Sequence, residues 1–221
     1  MTAEPAEASR EDSFSQKKTD CPDHCLPYNS HWKEDKIKMK KWLIASDIHG
    51  DAACCERLLT AFSREHADRL LLLGDLLYHG PRNDLPEGYD PKGVISLLNA
   101  EKEKIFCVRG NCEAEVDQMV LDFPVLADYC LLETVNRLIF ATHGHLYNLE
   151  SPPPIKPGDI LLHGHTHVPA KDDSQGFWYL NPGSVSLPKE NTQKSYMTLE
   201  NDTFLWKTLN GEEYDSLRLS D

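Results

Sequence analysis

The chain has 221 residues, a net charge of −13 and 40% hydrophobic residues. That length holds one sizeable domain or at most two small ones. The acidic surface repels a phosphate backbone, which argues against long nucleic acid as a partner.

No run approaches the roughly 18 apolar residues of a membrane span, and the N-terminus lacks the apolar core of a secretion signal. A cytoplasmic protein with no membrane partner is expected. Seven cysteines in no scaffold pattern fit a reducing compartment.

Residues 1–38 carry Pro, Ser, Lys, Glu and Asp with few large apolar side chains. Such a segment buries too little surface to offset its ordering entropy, so a disordered extension is expected there. Cys21, His24, Cys25 and His31 lie in it, but Cys-x3-Cys lacks a well-spaced second ligand pair for zinc. Residues 39–221 are expected to form the folded domain.

Within that domain strands and helices alternate. Trp42–Ala45 reads as a short strand, and Asp51 is placed to cap a helix running to about His66. Residues 70–73 read as a buried strand. Residues 76–90, with Gly80, Pro81, Pro86 and Gly88, read as a loop. Asp90-Pro91 opens a second helix. Residues 105–108 are a third strand and 113–121 a third helix. The second half reads as strands at about 129–133, 138–142, 160–163, 177–180, 184–187, 195–199 and 203–209. This order suggests an α/β domain with two sheets.

Ligand-type residues cluster just after apolar strands. Asp47 and His49 leave the first strand, Asp75 the second and Asn111 the third. His143, His165 and His167 follow strands of the second half. One Asp or His in such a place is usually a cap, a turn former or a hydrogen-bonded core residue. Here the same types recur at strand after strand, where ligands bind in open α/β sheets. Seven candidates exceed the needs of one ion and suit two, with Asp75 able to bridge. A mixed nitrogen and oxygen set without thiolate suits Mn, Fe, Ni or Zn better than Mg or Ca.

These residues resemble the signature of the calcineurin-like metallophosphoesterase superfamily: Asp47-x-His49, Gly74-Asp75, Gly110-Asn111-Cys112, His143 and Gly164-His165-x-His167. The strings His79-Gly80-Pro81-Arg82-Asn83, Leu85 to Tyr89, Val108 to Cys112, Glu115 to Met119 and Asn181 to Ser186 resemble the bacterial YfcE-type phosphodiesterases. The resemblance spans about residues 39–209.

It implies a four-layer α/β/β/α sandwich and a dinuclear site, with Mn the leading metal and Fe, Ni and Zn as alternatives. Asp47, His49 and His167 would hold one ion, Asn111, His143 and His165 the other, with Asp75 between. A metal-bridging hydroxide would be the nucleophile and a small phosphodiester the substrate. A phosphomonoesterase or nucleotidase is the nearest alternative. A protein-binding scaffold like the retromer subunit of similar fold is the alternative outside enzymes, though a scaffold has no need of a full ligand set. A homo-oligomer remains open. Cys112 stands where the wider superfamily commonly has His, a group able to protonate the leaving oxygen. A thiol, with an unperturbed pKa of about 8.5, donates weakly. His79 is a candidate replacement acid, Arg109 a candidate phosphate clamp, and His145 a support for the ligands.

Overall fold

The computed structural model describes residues 40–134 and 136–219. The extension 1–38 and its Cys/His set lie outside these residues.

The chain builds two sheets. The first has the order β11-β10-β9-β1-β2-β3 and the second β4-β5-β6-β8-β7. In the first, β1 (Trp42–Ala45) pairs in parallel with β2 (Arg69–Leu72), which pairs in parallel with β3 (Ile105–Cys107). On its other edge β1 meets β9 (Ser195–Glu200), and then β10 (Thr203–Thr208) and β11 (Glu213–Arg218) follow, all antiparallel. In the second sheet β5 (Leu138–Thr142), β6 (Ile160–Leu162) and β8 (Trp178–Asn181) run parallel. β4 (Tyr129–Glu133) and β7 (Ala170–Asp172) close its edges antiparallel.

The twofold period of a strand explains the layering. Leu43, Ala45, Leu70 and Leu72 point one way, toward α1 (Ala52–Arg64) and α2 (Pro91–Ala100). Ile44, Leu71 and Leu73 point the other way, onto Ile139, Ala141, Ile160, Leu162 and Leu180 of the second sheet. Both helices start as expected. The Asp51 carboxylate accepts the Cys54 N–H at 2.9 Å, and Asp90 accepts that of Gly93 at 3.0 Å. Leu58 and Phe62, one turn apart, are buried. Each contributes roughly 1.5–3 kcal/mol of burial. The outer face of the second sheet carries an aromatic stack, Tyr129 on Phe140 at 4.6 Å with Tyr147 edge-on.

Three expectations need correction. The third helix, α3, covers only Glu115–Gln118 rather than 113–121, because Glu113 turns inward and is consumed by other bonds. Residues 184–187 are not a strand; Val185 N–H bonds Ser46 O while two serine hydroxyls cross to Asp47. β7 and β11 were not expected. β11 is an exposed, polar edge strand, and Lys171 of β7 reaches its Asp215 at 2.6 Å. Edge strands of this composition lack the apolar alternation that marks a strand in sequence. Among the described residues no helix is long and apolar enough to cross a membrane.

Candidate metal centre

The parallel strands β1, β2, β3, β5 and β6 deliver the ligand-type side chains from their carboxyl ends, as open α/β sheets do. The loops there are tightly wound. Asp47, His49, Asp75, His165 and His167 all have positive φ, between 50° and 66°. Asp and His tolerate this region better than most residues, yet it costs of order 1–3 kcal/mol each and persists only where surroundings enforce it.

The surroundings here are hydrogen bonds between loops. Asp47 N–H donates to Gly74 O, His49 N–H to Asp75 O and Gly50 N–H to Leu76 O. Ser184 and Ser186 hydroxyls both donate to Asp47 O, at 2.9 and 3.0 Å. Asn181 at the end of β8 donates to Gly164 O at 2.8 Å. Two glycines permit the close approach. A Cβ on Gly74 would fall on the Gly110 backbone, and one on Gly164 would fall on the Ser46 hydroxyl.

Sequence reasoning passed over Glu113. This buried carboxylate accepts the N–H groups of Asp75 at 2.9 Å and Leu76 at 2.7 Å, and also that of Gly110. It therefore ties the loop after β2 to the loop after β3. Its position directly after Gly110-Asn111-Cys112 was the available signal. The bracket Asn181 to Ser186 was legible as a string but not as a support.

The side chains converge in two overlapping groups. His49 Nε2 and His167 Nε2 stand 3.2 Å apart, with Asp47 Oδ1 at 3.5 and 3.2 Å from them. His143 Nε2 lies 3.1 Å from both Asn111 Oδ1 and His165 Nδ1. Asp75 Oδ2 joins the groups, 3.7 Å from His49 Nε2 and 3.5 Å from His143 Nε2. All seven residues named from the motif are thus brought together.

The ring tautomers follow from the backs of the rings. His49, His143 and His167 donate Nδ1–H to the carbonyls of Tyr78, Leu73 and Leu187, at 2.8, 2.7 and 2.6 Å. In the neutral rings the Nε2 atoms are lone pairs facing one another and the carboxylates. Asp47 Oδ1 is buried and no hydrogen bond reaches it. Facing lone pairs at such distances need protons or cations between them. Asp47, His49 and His167 lie close enough to hold a cation, as do Asp47, Asp75 and His143, and as do His49, Asp75 and Cys112; Asn111 and His165 stand beside His143 Nε2 at the edge of these groups.

The charges agree with that fit. Burial opposes the Asp47 carboxylate, but the His167 and His49 imidazoles more than offset it and hold its carboxyl well below the usual range. Burial likewise opposes the Asp75 carboxylate, and His143 outweighs it. Burial opposes the His143 imidazolium, yet Asp75 and Asp47 raise it to about 9. Burial and the His143 charge push His165 down to about 4.

The other candidates are placed differently. Cys112 lines the cavity over the ligands, and its N–H holds Asp75 Oδ1 at 2.9 Å. Among the chain's own groups, burial and the Asp75 charge push its thiol up. His79 packs edge-on against Tyr78 and Tyr89 and is not among the residues lining that cavity. Arg109 is half-buried, its backbone N–H bonded to Ala127 O, and it is not among the residues lining that cavity. His145 stands beside His143, ring centres 5.5 Å apart.

Residues 40–203 match the family model described as the calcineurin-like phosphoesterase superfamily domain. The chain is 44% identical to phosphodiesterase YfcE of Escherichia coli K12 over 174 residues, covering 79% of this chain and 95% of the relative. The solved structure of YfcE, a phosphoesterase from E. coli, superposes with a TM-score of 0.79 at 41% identity, covering 81% of this chain and all of that one. Vps29 from Entamoeba histolytica shares the fold at a TM-score of 0.55 and 19% identity, covering 81% of this chain and 99% of that one. The chain belongs to the calcineurin-like phosphoesterase superfamily and is a hydrolase of phosphoester bonds.

Proposed function

We propose that the chain is a phosphodiesterase that hydrolyses a small phosphodiester with the help of two divalent ions, Mn first and Fe, Ni or Zn as alternatives. The observation that carries this reading is the shared Asp75 Oδ2 between two groups of inward-facing lone pairs. When bound, two such ions supply an acidified water for attack and positive charge for the phosphoryl oxygens.

The protein's own part is placement. Carbonyls behind His49, His143 and His167 fix each ring's tautomer and aim, a support that typically matters 10–100-fold to metal sites. Glu113 holds the Asp75 and Gly110 backbones in register. The Cys112 thiol donates weakly, so leaving groups that need no proton should react fastest. The scaffold alternative is disfavoured by the complete inward-facing donor set. Five free cysteines among the described residues support assignment to the reducing cytoplasm.

The test is reconstitution. Protein stripped of metal and reloaded with Mn should bind close to two equivalents and hydrolyse bis(4-nitrophenyl) phosphate faster than 4-nitrophenyl phosphate. Uptake that stays at zero overturns the reading, and a monoester preference replaces the diesterase with a monoesterase.

A further inference from the structure

The cavity over the ligands measures about 440 Å³, within the range of small-molecule sites. Asp75 is the one carboxylate in its lining, while Arg82 and Lys189 are both there. In a chain with 36 acidic and 23 basic residues, two cations at one mouth call for a reason. Among the described residues neither Arg82 nor Lys189 has a carboxylate within 4 Å, as holds for several other cations of the chain, so neither charge is taken up by an ion pair.

Both cations sit on braced backbone. Arg82 follows Pro81, whose ring limits φ, and the next residue, Asn83, donates from its side chain to His79 O at 2.8 Å. Lys189 N–H donates to His167 O at 3.3 Å, and Thr192 closes a turn on Lys189 O. The two approach from different sides. The Arg82 loop lies against Cys112, where a Cβ on Gly80 would stand 3.4 Å from the sulfur. Lys189 stands beside the His167 loop.

Charge balance then selects a substrate. Two divalent ions bring four positive charges, and Asp47 and Asp75 return two negative ones. A simple diester adds one more. The hydroxide nucleophile adds a fourth negative charge, so the sum is zero before Arg82 and Lys189 are counted, and neither is needed to neutralise the scissile group.

We propose that Arg82 and Lys189 form a second anion subsite, and that the preferred substrates are phosphodiesters carrying a further anionic group, such as a phosphate, on one arm. This rests on the phosphodiesterase reading above. Two exposed charge-assisted contacts are worth about five- to tenfold together at low salt, and the gain shrinks as screening rises.

The experiment compares thymidine 5′-(4-nitrophenyl phosphate) with its 3′-phosphorylated counterpart on Mn-loaded protein. The wild type should show a kcat/KM ratio of about five to ten in favour of the second. In Arg82→Ala/Lys189→Ala the ratio should fall to about one. Calorimetry supplies a readout apart from turnover: thymidine 3′,5′-bisphosphate should bind more tightly than thymidine 5′-phosphate to the wild type and not to the double variant. A ratio near one in the wild type, or one that survives the double substitution, overturns the subsite and leaves the diesterase standing. Equal loss of both substrates in the double variant also overturns it and makes these residues clamps on the scissile phosphate. Hydrolysis of neither substrate overturns the diesterase reading and the subsite with it.

Discussion

Two polar clusters in this molecule, one half-buried and one buried, solve opposite problems. Around Glu65 at the end of α1, charges of both signs meet. Lys207 reaches its carboxylate at 2.9 and 3.0 Å, the Tyr196 hydroxyl donates at 2.8 Å, and Lys41 approaches to 3.5 Å. Every strong group there has a partner within the chain. Around Asp75 the chain presents carboxylates, an amide oxygen and imidazole lone pairs, with Asp47 Oδ1 lacking any hydrogen bond. A closed cluster serves stability. A cluster of acceptors facing one another is suited to holding cations.

Breaking each cluster should therefore read out differently. The largest effect is expected at the bridge. Asp75→Ala should lower kcat/KM by roughly a thousandfold or more, since under the proposed function both ions would lose a ligand oxygen. Asp75→Asn keeps shape but loses charge and should also be severely impaired. Near-normal turnover in Asp75→Ala, with metal content checked by elemental analysis, would place the chemistry elsewhere.

Next comes stability. Mn at 100 times its dissociation constant should stabilise the wild type by about 2.7 kcal/mol, and a chelator should reverse the rise in Tm. Glu65→Gln should lower Tm, by about 1–3 kcal/mol of lost pairing, with Mn uptake and turnover retained. Burial opposes the Glu65 charge, but Lys207 and Tyr196 outweigh it and lower its pKa below the ordinary 4.5. The stabilisation is therefore complete above about pH 4.5 and is lost as pH falls through the folded-state value. The Tm gap between wild type and Glu65→Gln should close in acid. A gap that widens there would contradict the pairing.

A smaller effect is expected at Cys112. A weakly donating thiol adds little to the departure of a good leaving group. Cys112→Ala should retain activity on aryl diesters to within about tenfold, since general acid help is worth 10²–10⁴-fold only where geometry and pKa suit. Cys112→His places a better donor there and should help alkyl diesters most. A leaving-group series measures this. Abolished aryl diester hydrolysis in Cys112→Ala with both metals bound would give the thiol a direct chemical role. The smallest effect should come from removing residues 1–38. All seven motif residues lie between 47 and 167, so kcat/KM should stay within about twofold, and soluble protein is the check on folding.

Much of the comparison between the clusters was legible in the chain. The ligands sit at short, regular offsets from apolar strands, and Asp and His after such strands have few structural reasons to recur. The caps at Asp51 and Asp90 were legible for a similar reason, because an N-cap acts within three residues. The Glu65 cluster was not legible. Its partners lie at sequence separations of 24 to 142 residues, and nothing local distinguishes Lys207 from any other lysine on a strand.

Residue order alone determined the strand-helix alternation and the fold class and named the candidate ligands, because all three rest on local periods and on motifs a few residues long. The tertiary structure decided the rest. It turned Glu113 out of a helix and into a brace for two backbones. It made residues 184–187 a bracket behind Asp47 instead of a strand. It set His79 among tyrosines and left Arg82 and Lys189 at the mouth of the cavity. Each of these depends on which strand ends share one edge of the sandwich, and that is fixed by packing between sheets, where contacts distant in sequence outweigh local preference.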